Sequence, residues 1–305
     1  MLGSRTGPRG PVRTTSEGVL LMRKLVLSLA VLALALAGCA QESSTISTPS
    51  TGSGSPAAYA CAVENLNLKT PGQITIATNT PAFNPWFRHN DPTNGQGYEG
   101  AVAYDVADGL GFTADEVEWV IEPFGKTYAP GPKDYDFAIE QISITPERAQ
   151  AVDFSAGYYD DQQALIAIEG TPIADATTIA DLKPYTFGVQ VGTTSLSFIT
   201  QVIQPDDNPA VYDTTNEAKN ALANGQVDGM ILDLPTASYT QYFIDHATLV
   251  GKFPSSGEQF GLVFEKGNAL VSCVDPIIEE MRSSGTLDDL ADRWLQNYLG
   301  VPLIQ

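Results

Sequence analysis

The segment "SITPERAQAVDFS", residues 143 to 155, sets one arginine, Arg148, just after two hydroxyl residues and just before a short strand pattern. A guanidinium is a planar, two-pronged donor whose geometry matches a carboxylate, and it keeps its charge at any ordinary pH. A second anion-seeking feature follows. Thr194 opens the helical pattern "TTSLSFITQVI", after the strand pattern "YTFGVQ" (185–190). Free N–H groups and aligned peptide dipoles at a helix start favour negative charge. Together the two features point to capture of a small anionic group; the plain alternative is a solvated surface arginine and an ordinary helix cap.

Catalytic chemistry finds few candidates. The chain holds two histidines, His89 and His246, in unrelated loops, and no His/Cys cluster at metal-ligand spacing, so no metal and no cofactor is expected. Neither a Gly-x-Ser-x-Gly elbow nor a Walker sequence occurs. "GQGYEG" (95–100) fits Gly-x-Gly-x-x-Gly, but it follows the polar turn "NDPTN" and no strand, so it lacks the setting of a dinucleotide loop.

The elements that must position these residues alternate in type, the pattern of an α/β protein. Strands are expected at "QITIAT" (73–78), "VEWVIE" (117–122), within "DYDFAIEQISI" and at "QALIAIEG" (163–170). A helix over "GAVAYDVADGLGF" closes at Gly109 and Gly111. A second set follows: strands "YTFGVQ", "AVYD" and "VDGMILD" (227–233), a helix over "TNEAKNALANG", and a long strand "QFGLVFEKG" (259–267). The closing "TLDDLADRWLQNYLG" puts Leu287, Leu290, Ala291, Trp294, Leu295 and Tyr298 on one helical face, which reads as core. Two similar strand–helix sets joined by paired crossing strands favour two lobes around a cleft, where small ligands usually bind.

The ends and the charge set the compartment. Arg23 and Lys24 precede a 13-residue apolar run, Leu25 to Ala37, too short for a bilayer span of about 20 residues and suited to a signal peptide. Leu36-Ala37-Gly38-Cys39 resembles the lipobox of bacterial lipoproteins, which implies lipidation of Cys39, a signal peptide over 1–38 and a natural start at Met22. Residues 39–60, rich in Ser, Thr, Gly and Pro, read as a tether reaching about 25 Å from a membrane surface. Residues 1–38 hold five basic and one acidic residue, so the remainder carries 11 Lys and Arg against 35 Asp and Glu. Such a surface repels nucleic acid. With Cys39 lipidated, Cys61 and Cys273 remain as an even pair outside the cytoplasm and are expected to be bonded; two free buried thiols are the alternative.

"SITPERAQAVDFSAGYY" resembles the signature of the polar amino-acid-binding proteins of ABC importers, the extracytoplasmic solute-binding proteins of family 3. "TNTPAFNPWF", "GYEGAVAYDVADGLGF", "GVQVGTTS", "GQVDGMILD" and "GTLDDLADRWL" fall in that family's order and spacing. The resemblance implies a two-lobed periplasmic-binding-protein fold (type II, Venus-flytrap) with two crossing hinge strands. Lobe 1 would span 61–168 and 259–305, and lobe 2 would span 169–258. It implies a monomeric receptor that is no enzyme, holds a polar amino acid and hands it to a membrane permease. Arg148, helped by backbone N–H groups of Ser143 and Thr194, would grip the α-carboxylate beside Thr193. Asp233, the Ser143 hydroxyl and the Gln141 carbonyl would take the ammonium, and Phe83 and Tyr98 would sandwich the aliphatic part.

Specificity is left open. The family usually has an acid at the position of Asn79, and the amide here argues against a basic ligand. Glu140 stands where the family commonly has a small or amide residue; it either restores a preference for cations or points at solvent. Gln190 is a further candidate for the side-chain pocket, and a polar, amide-bearing ligand is the expectation. Same-fold rivals are an enzyme such as a cyclohexadienyl dehydratase and a ligand-sensing lipoprotein.

Overall fold

The structure, a computed structural model, describes residues 61–296 and 300–305, which belong to one compact unit. The signal segment, Cys39, the tether to residue 60 and Tyr298 lie outside the described residues. Twelve strands follow in chain order: β1 Ile74–Thr78, β2 Val117–Ile121, β3 Phe137–Ala138, β4 Val152–Phe154, β5 Tyr159–Asp160, β6 Gln163–Ile168, β7 Phe187–Gln190, β8 Ala210–Tyr212, β9 Gly229–Asp233, β10 Ala247–Lys252, β11 Gln259–Phe260 and β12 Val263–Glu265.

They form two five-stranded sheets, one per lobe. The first runs β2-β1-β3-β12-β4, with β1 parallel to β2 and β3 and with β12 antiparallel to β3 and β4. The second runs β10-β6-β9-β7-β8, parallel at β7 and antiparallel at β6. Every residue of β1 is buried, because helices or loops cover both faces of a central parallel strand. That is why "ITIAT" reads as an unbroken apolar and β-branched run. On one face of the first sheet, helix Tyr98–Leu110 packs with Val271–Ser283 and Thr286–Trp294 around Trp86, Phe87 and Val102. The second sheet buries Phe187, Ile199 and Ile231 in one cluster, and Ala218, Leu222 and Met230 in another.

Between the sheets, β5 and β11 pair antiparallel, Gln259 opposite Asp160 and Phe260 opposite Tyr159. These are the two crossings. Three expectations need correction. "QFGLVFEKG" is not one strand: after Phe260 the chain leaves β5 and re-enters the first sheet only at Val263, because one segment serves both hinge and sheet. Gly109 lies inside its helix, where a Cβ would come within 2.8 Å of Ile277, and Gly111 alone caps it. The lobe borders also shift. β6 belongs wholly to the second sheet, and the tail returns to that lobe, with Lys252 N donating to Pro302 O and Ile304 buried beside Phe253.

Cys61 and Cys273 are joined, tying the start of the unit to helix Val271–Ser283 across 212 residues. Closing a loop that long removes unfolded-chain entropy equivalent to about 5 kcal/mol in the ideal case. The double variant Cys61→Ala/Cys273→Ala should therefore lose about 2–5 kcal/mol of stability, read as a lower urea midpoint. An unchanged midpoint would show that the tie constrains nothing.

Candidate functional site

A cavity of about 720 Å³, counted with its mouth, opens between the lobes at the carboxyl ends of the parallel strands, where open α/β sheets generally bind ligands. β1 delivers Thr78 and Asn79 to it, the loop after β3 delivers Glu140, Gln141 and Ser143, the turn after β7 delivers Thr193 and Thr194, and the end of β9 delivers Asp233.

Arg148 opens the single helical turn Arg148–Ala151 and is only 8% exposed. Its Nη1 donates to Ser143 O (2.9 Å) within its own lobe, and its Nη2 to Gly192 O (3.0 Å) across the cleft. The guanidinium carbon lies 4.4 Å from the centre of the Tyr128 ring and 5.7 Å from that of Phe124. Burial pulls its proton affinity down, against the opposing pull of Tyr128, Glu258 and Asp233; an arginine stays charged through such a shift. Tyr128 also donates to Gly192 O (3.2 Å). Gly192 sits at φ +75°, and a Cβ there would lie 2.4 Å from the Tyr128 hydroxyl, so any other residue would be strained and would push that hydroxyl away or hold the lobes apart. Trp86 Nε1 to Thr236 Oγ1 (2.9 Å) and Asn84 Nδ2 to Tyr239 OH (3.0 Å) add cross-cleft bonds, so the lobes stand closed.

Opposite lies a nest of acids. Carboxylate oxygens of Asp161, Asp233 and Glu258 fall within 4.8 Å of one another. Gln163 Nε2 donates to all three, at 3.4, 2.9 and 3.2 Å respectively, while its Oε1 accepts from Ser195 Oγ (2.7 Å). Burial, then the charge of Glu258, pushes Asp233 up to about 7. Asp161, 1% exposed, goes well above the usual carboxylate range for the same first cause, then through Asp233 and Glu258. Among the described residues this is the one group of acids close enough to share a cation, but Gln163 and the Ser143 hydroxyl, 2.6 Å from Glu258 Oε1, already use part of its capacity. Beneath the cleft, Glu99 is fully buried and is pushed up to about 7 by burial; it accepts from Gln141 N (2.7 Å), the Gln141 side-chain amide and the Tyr158 hydroxyl.

The remaining residues expected from sequence fall as follows. Phe83 lines the cavity, as does Asn79, whose Oδ1 turns back to Thr80 N (2.7 Å). Gln190 lines it too, with Oε1 held by the Thr215 hydroxyl (2.6 Å). The Thr193 hydroxyl accepts from Leu196 N (3.1 Å) as the cap of helix Thr194–Phe198. Glu140 does not point at solvent: it is 4% exposed, with Oε1 accepting from Thr127 Oγ1 (2.9 Å). Tyr98 is the correction. It is 1% exposed, donates to Tyr158 O (2.7 Å) and stacks edge-on with Trp86, as core beneath the site. Phe124 lines the cavity in its stead. Its spacing to Tyr128 was a usable signal, since residues four apart share a helical face and these rings lie 5.3 Å apart. Asp161, Gln163, Glu258 and Glu99 carried no such signal, because each is an ordinary polar residue until the crossing strands bring it inward.

Two lobes, paired crossings and a polar cleft at the strand ends define the class of extracytoplasmic ligand-binding proteins. The chain belongs to the bacterial extracellular solute-binding proteins, family 3, whose model matches residues 74–297. It is 31% identical over 162 residues, 51% of its own length, to an arginine-binding protein of an ABC transporter in Escherichia coli K12, spanning 64% of that relative, less than two thirds. Among solved structures, an ancestral arginine-binding protein bound to glutamine superposes with a TM-score of 0.63 at 29% identity, covering 74% of this chain and 98% of that one. An ancestral amino acid-binding protein described as a precursor of cyclohexadienyl dehydratase gives 0.59 at 25% identity, covering 74% and 96%. Among the described residues no helix is long and apolar enough to cross a membrane.

Two outcomes follow from this geometry. Gly192→Ala should hold the lobes apart, seen as a larger radius of gyration in solution scattering, whereas an unchanged radius would mean the contact with Tyr128 does not govern closure. A carboxylate raised in the folded state destabilises it as pH climbs from the ordinary value through the folded one. The protein without ligand should therefore melt at progressively lower temperature from pH 5 to about pH 7. Asp161→Asn/Asp233→Asn should flatten that slope, and a flat wild-type profile would contradict the raised values.

Proposed function

We propose that this chain is the lipid-anchored receptor of an ABC importer, taking a polar amino acid between its lobes and presenting the closed complex to a membrane permease. The observation that carries this reading is the guanidinium of Arg148 and the carboxyl group of Asp233 lining one cavity from opposite lobes. A zwitterion enclosed away from water needs a partner for each charge, and that pair offers both. Arg148 with the start of helix Thr194–Phe198 takes the α-carboxylate; Asp233 and the Ser143 hydroxyl take the ammonium; Phe83 and Phe124 displace water from the aliphatic part. Since the contacts come from both lobes, binding favours closure by as much as the closed state's extra contacts supply. No bond is made or broken, and release follows reopening.

Membrane attachment through Cys39 and an extracytoplasmic site of action are part of the same reading. The lipobox-like "LAGC" and the family supply its support. A second reading, an enzyme acting on prephenate or arogenate, draws on the likeness to the dehydratase precursor and on a buried acid, Glu140, in the cleft. Turnover of either compound would favour it over simple binding.

A thermal-shift screen against the twenty amino acids is the test. At one hundred times its dissociation constant a ligand adds about 2.7 kcal/mol, several degrees for a body of this size. Arg148→Ala should leave the unliganded fold intact and erase that shift, since a charge-assisted bond is worth about 1.5–3 kcal/mol and the arginine makes more than one. A full shift in the variant would remove Arg148 from the carboxylate role.

A further inference from the structure

The charges lining the cleft do not balance for a simple zwitterion. In the reading above, the ligand's carboxylate is matched by Arg148 and its ammonium by Asp233. Glu140 is then left over, and Arg148 is the one cationic residue among those lining the cavity. Glu140 is 4% exposed, and only half of its carboxyl group is satisfied: Oε1 accepts from Thr127, while Oε2 is buried with no hydrogen-bond partner in the protein. An acceptor enclosed without a donor costs about 1–3 kcal/mol, and more when charged. Neighbouring residues give too little relief: burial and the nearby acids Glu99 and Glu122 disfavour its charge, and they outweigh the Thr127 hydroxyl and the more distant charge of Arg148. The Asn79 side chain, the other position from which a side-chain cation could be met, is turned back onto Thr80.

We propose that the ligand carries a second cation on its side chain and that the Glu140 carboxyl group receives it, which makes this a receptor for basic amino acids rather than amide-bearing ones. The inference rests on the amino-acid reading above and narrows it. Burial holds the Glu140 proton well above the usual carboxylate range when no cation is near. A basic side chain therefore displaces that proton on entering, whereas a neutral one leaves it in place. Discrimination comes from pairing a buried acid with charge, and a neutral isostere of the same length forfeits it.

Arginine and its neutral isostere citrulline separate these cases, with lysine and glutamine as a second pair. The purified protein, stripped of retained ligand by unfolding and refolding, is titrated calorimetrically with each in buffers of different ionisation enthalpy. Arginine or lysine should bind at least tenfold more tightly than its neutral counterpart and release more protons than citrulline or glutamine, whose ammonium displaces only the share held by Asp233. Glu140→Gln should erase most of that preference while changing affinity for the neutral ligands by no more than a few-fold. Equal or tighter binding of both neutral ligands by the wild type would overturn the proposal and leave the amino-acid reading standing. So would an undiminished cation preference in the variant. Failure of the refolded protein to bind any amino acid would overturn both.

Discussion

A guanidinium withdrawn from water must be met on every side, and in this molecule the demand falls on two lobes at once. Arg148 takes one carbonyl from Ser143 beside it and another from Gly192 across the cleft, and it lies over the face of Tyr128. Two carbonyls do not exhaust five N–H donors, so an anion brought into the cleft finds donors still free. The arginine is therefore both a latch between the lobes and the strongest anion-binding group in the cavity. An anion entering the cleft meets a cation already oriented by contacts on three sides, and little ordering remains to oppose binding.

The acids answer a different constraint. Asp161 and Glu258 come from the two segments that cross between lobes, and Asp233 from the end of β9. Gln163 bonds to all three and to Ser195, so the hinge, the second sheet and the helix after β7 share one polar network. Asp161 and Asp233 resist ionisation because both are buried and because other acids stand near them. A network of this kind makes hinge position and cleft charge one variable: separating the crossings changes the distances that set the repulsion. Closure and the charge state of the site are consequently coupled through contacts a few ångströms long.

Much of the architecture was legible in the chain. The two alternations of strand and helix, most residues of β1, β6 and β9, and the places of Arg148 and Thr194 follow from local rules: apolar runs, helix caps and the short list of side chains able to bind charge; Asp233 was singled out among many acids by the family resemblance alone. Tyr98 was misread for a definite reason. Its place at the start of a helix beside the cleft suits a lining residue equally well, and only the packing of Trp86 above it decides that the ring faces the core. The break at Gly261 and Leu262 was hidden similarly, since an apolar segment reads the same whether one sheet pairs with it or two structures share it.

The order of amino acids by itself determined which groups are available: one arginine in a serine–threonine setting, an aspartate closing a strand, a surplus of acids and a cysteine pair. Those are properties of side chains and of spacing along a single element. Tertiary structure alone decided which groups meet. Glu140 turned inward, Glu258 and Asp161 drew up beside Asp233, and Gly192 came against Tyr128. The physical reason is that burial and proximity set the energy of a charge, and both depend on residues as far as 115 positions apart in the acid cluster and 155 across the cleft, which no local pattern records.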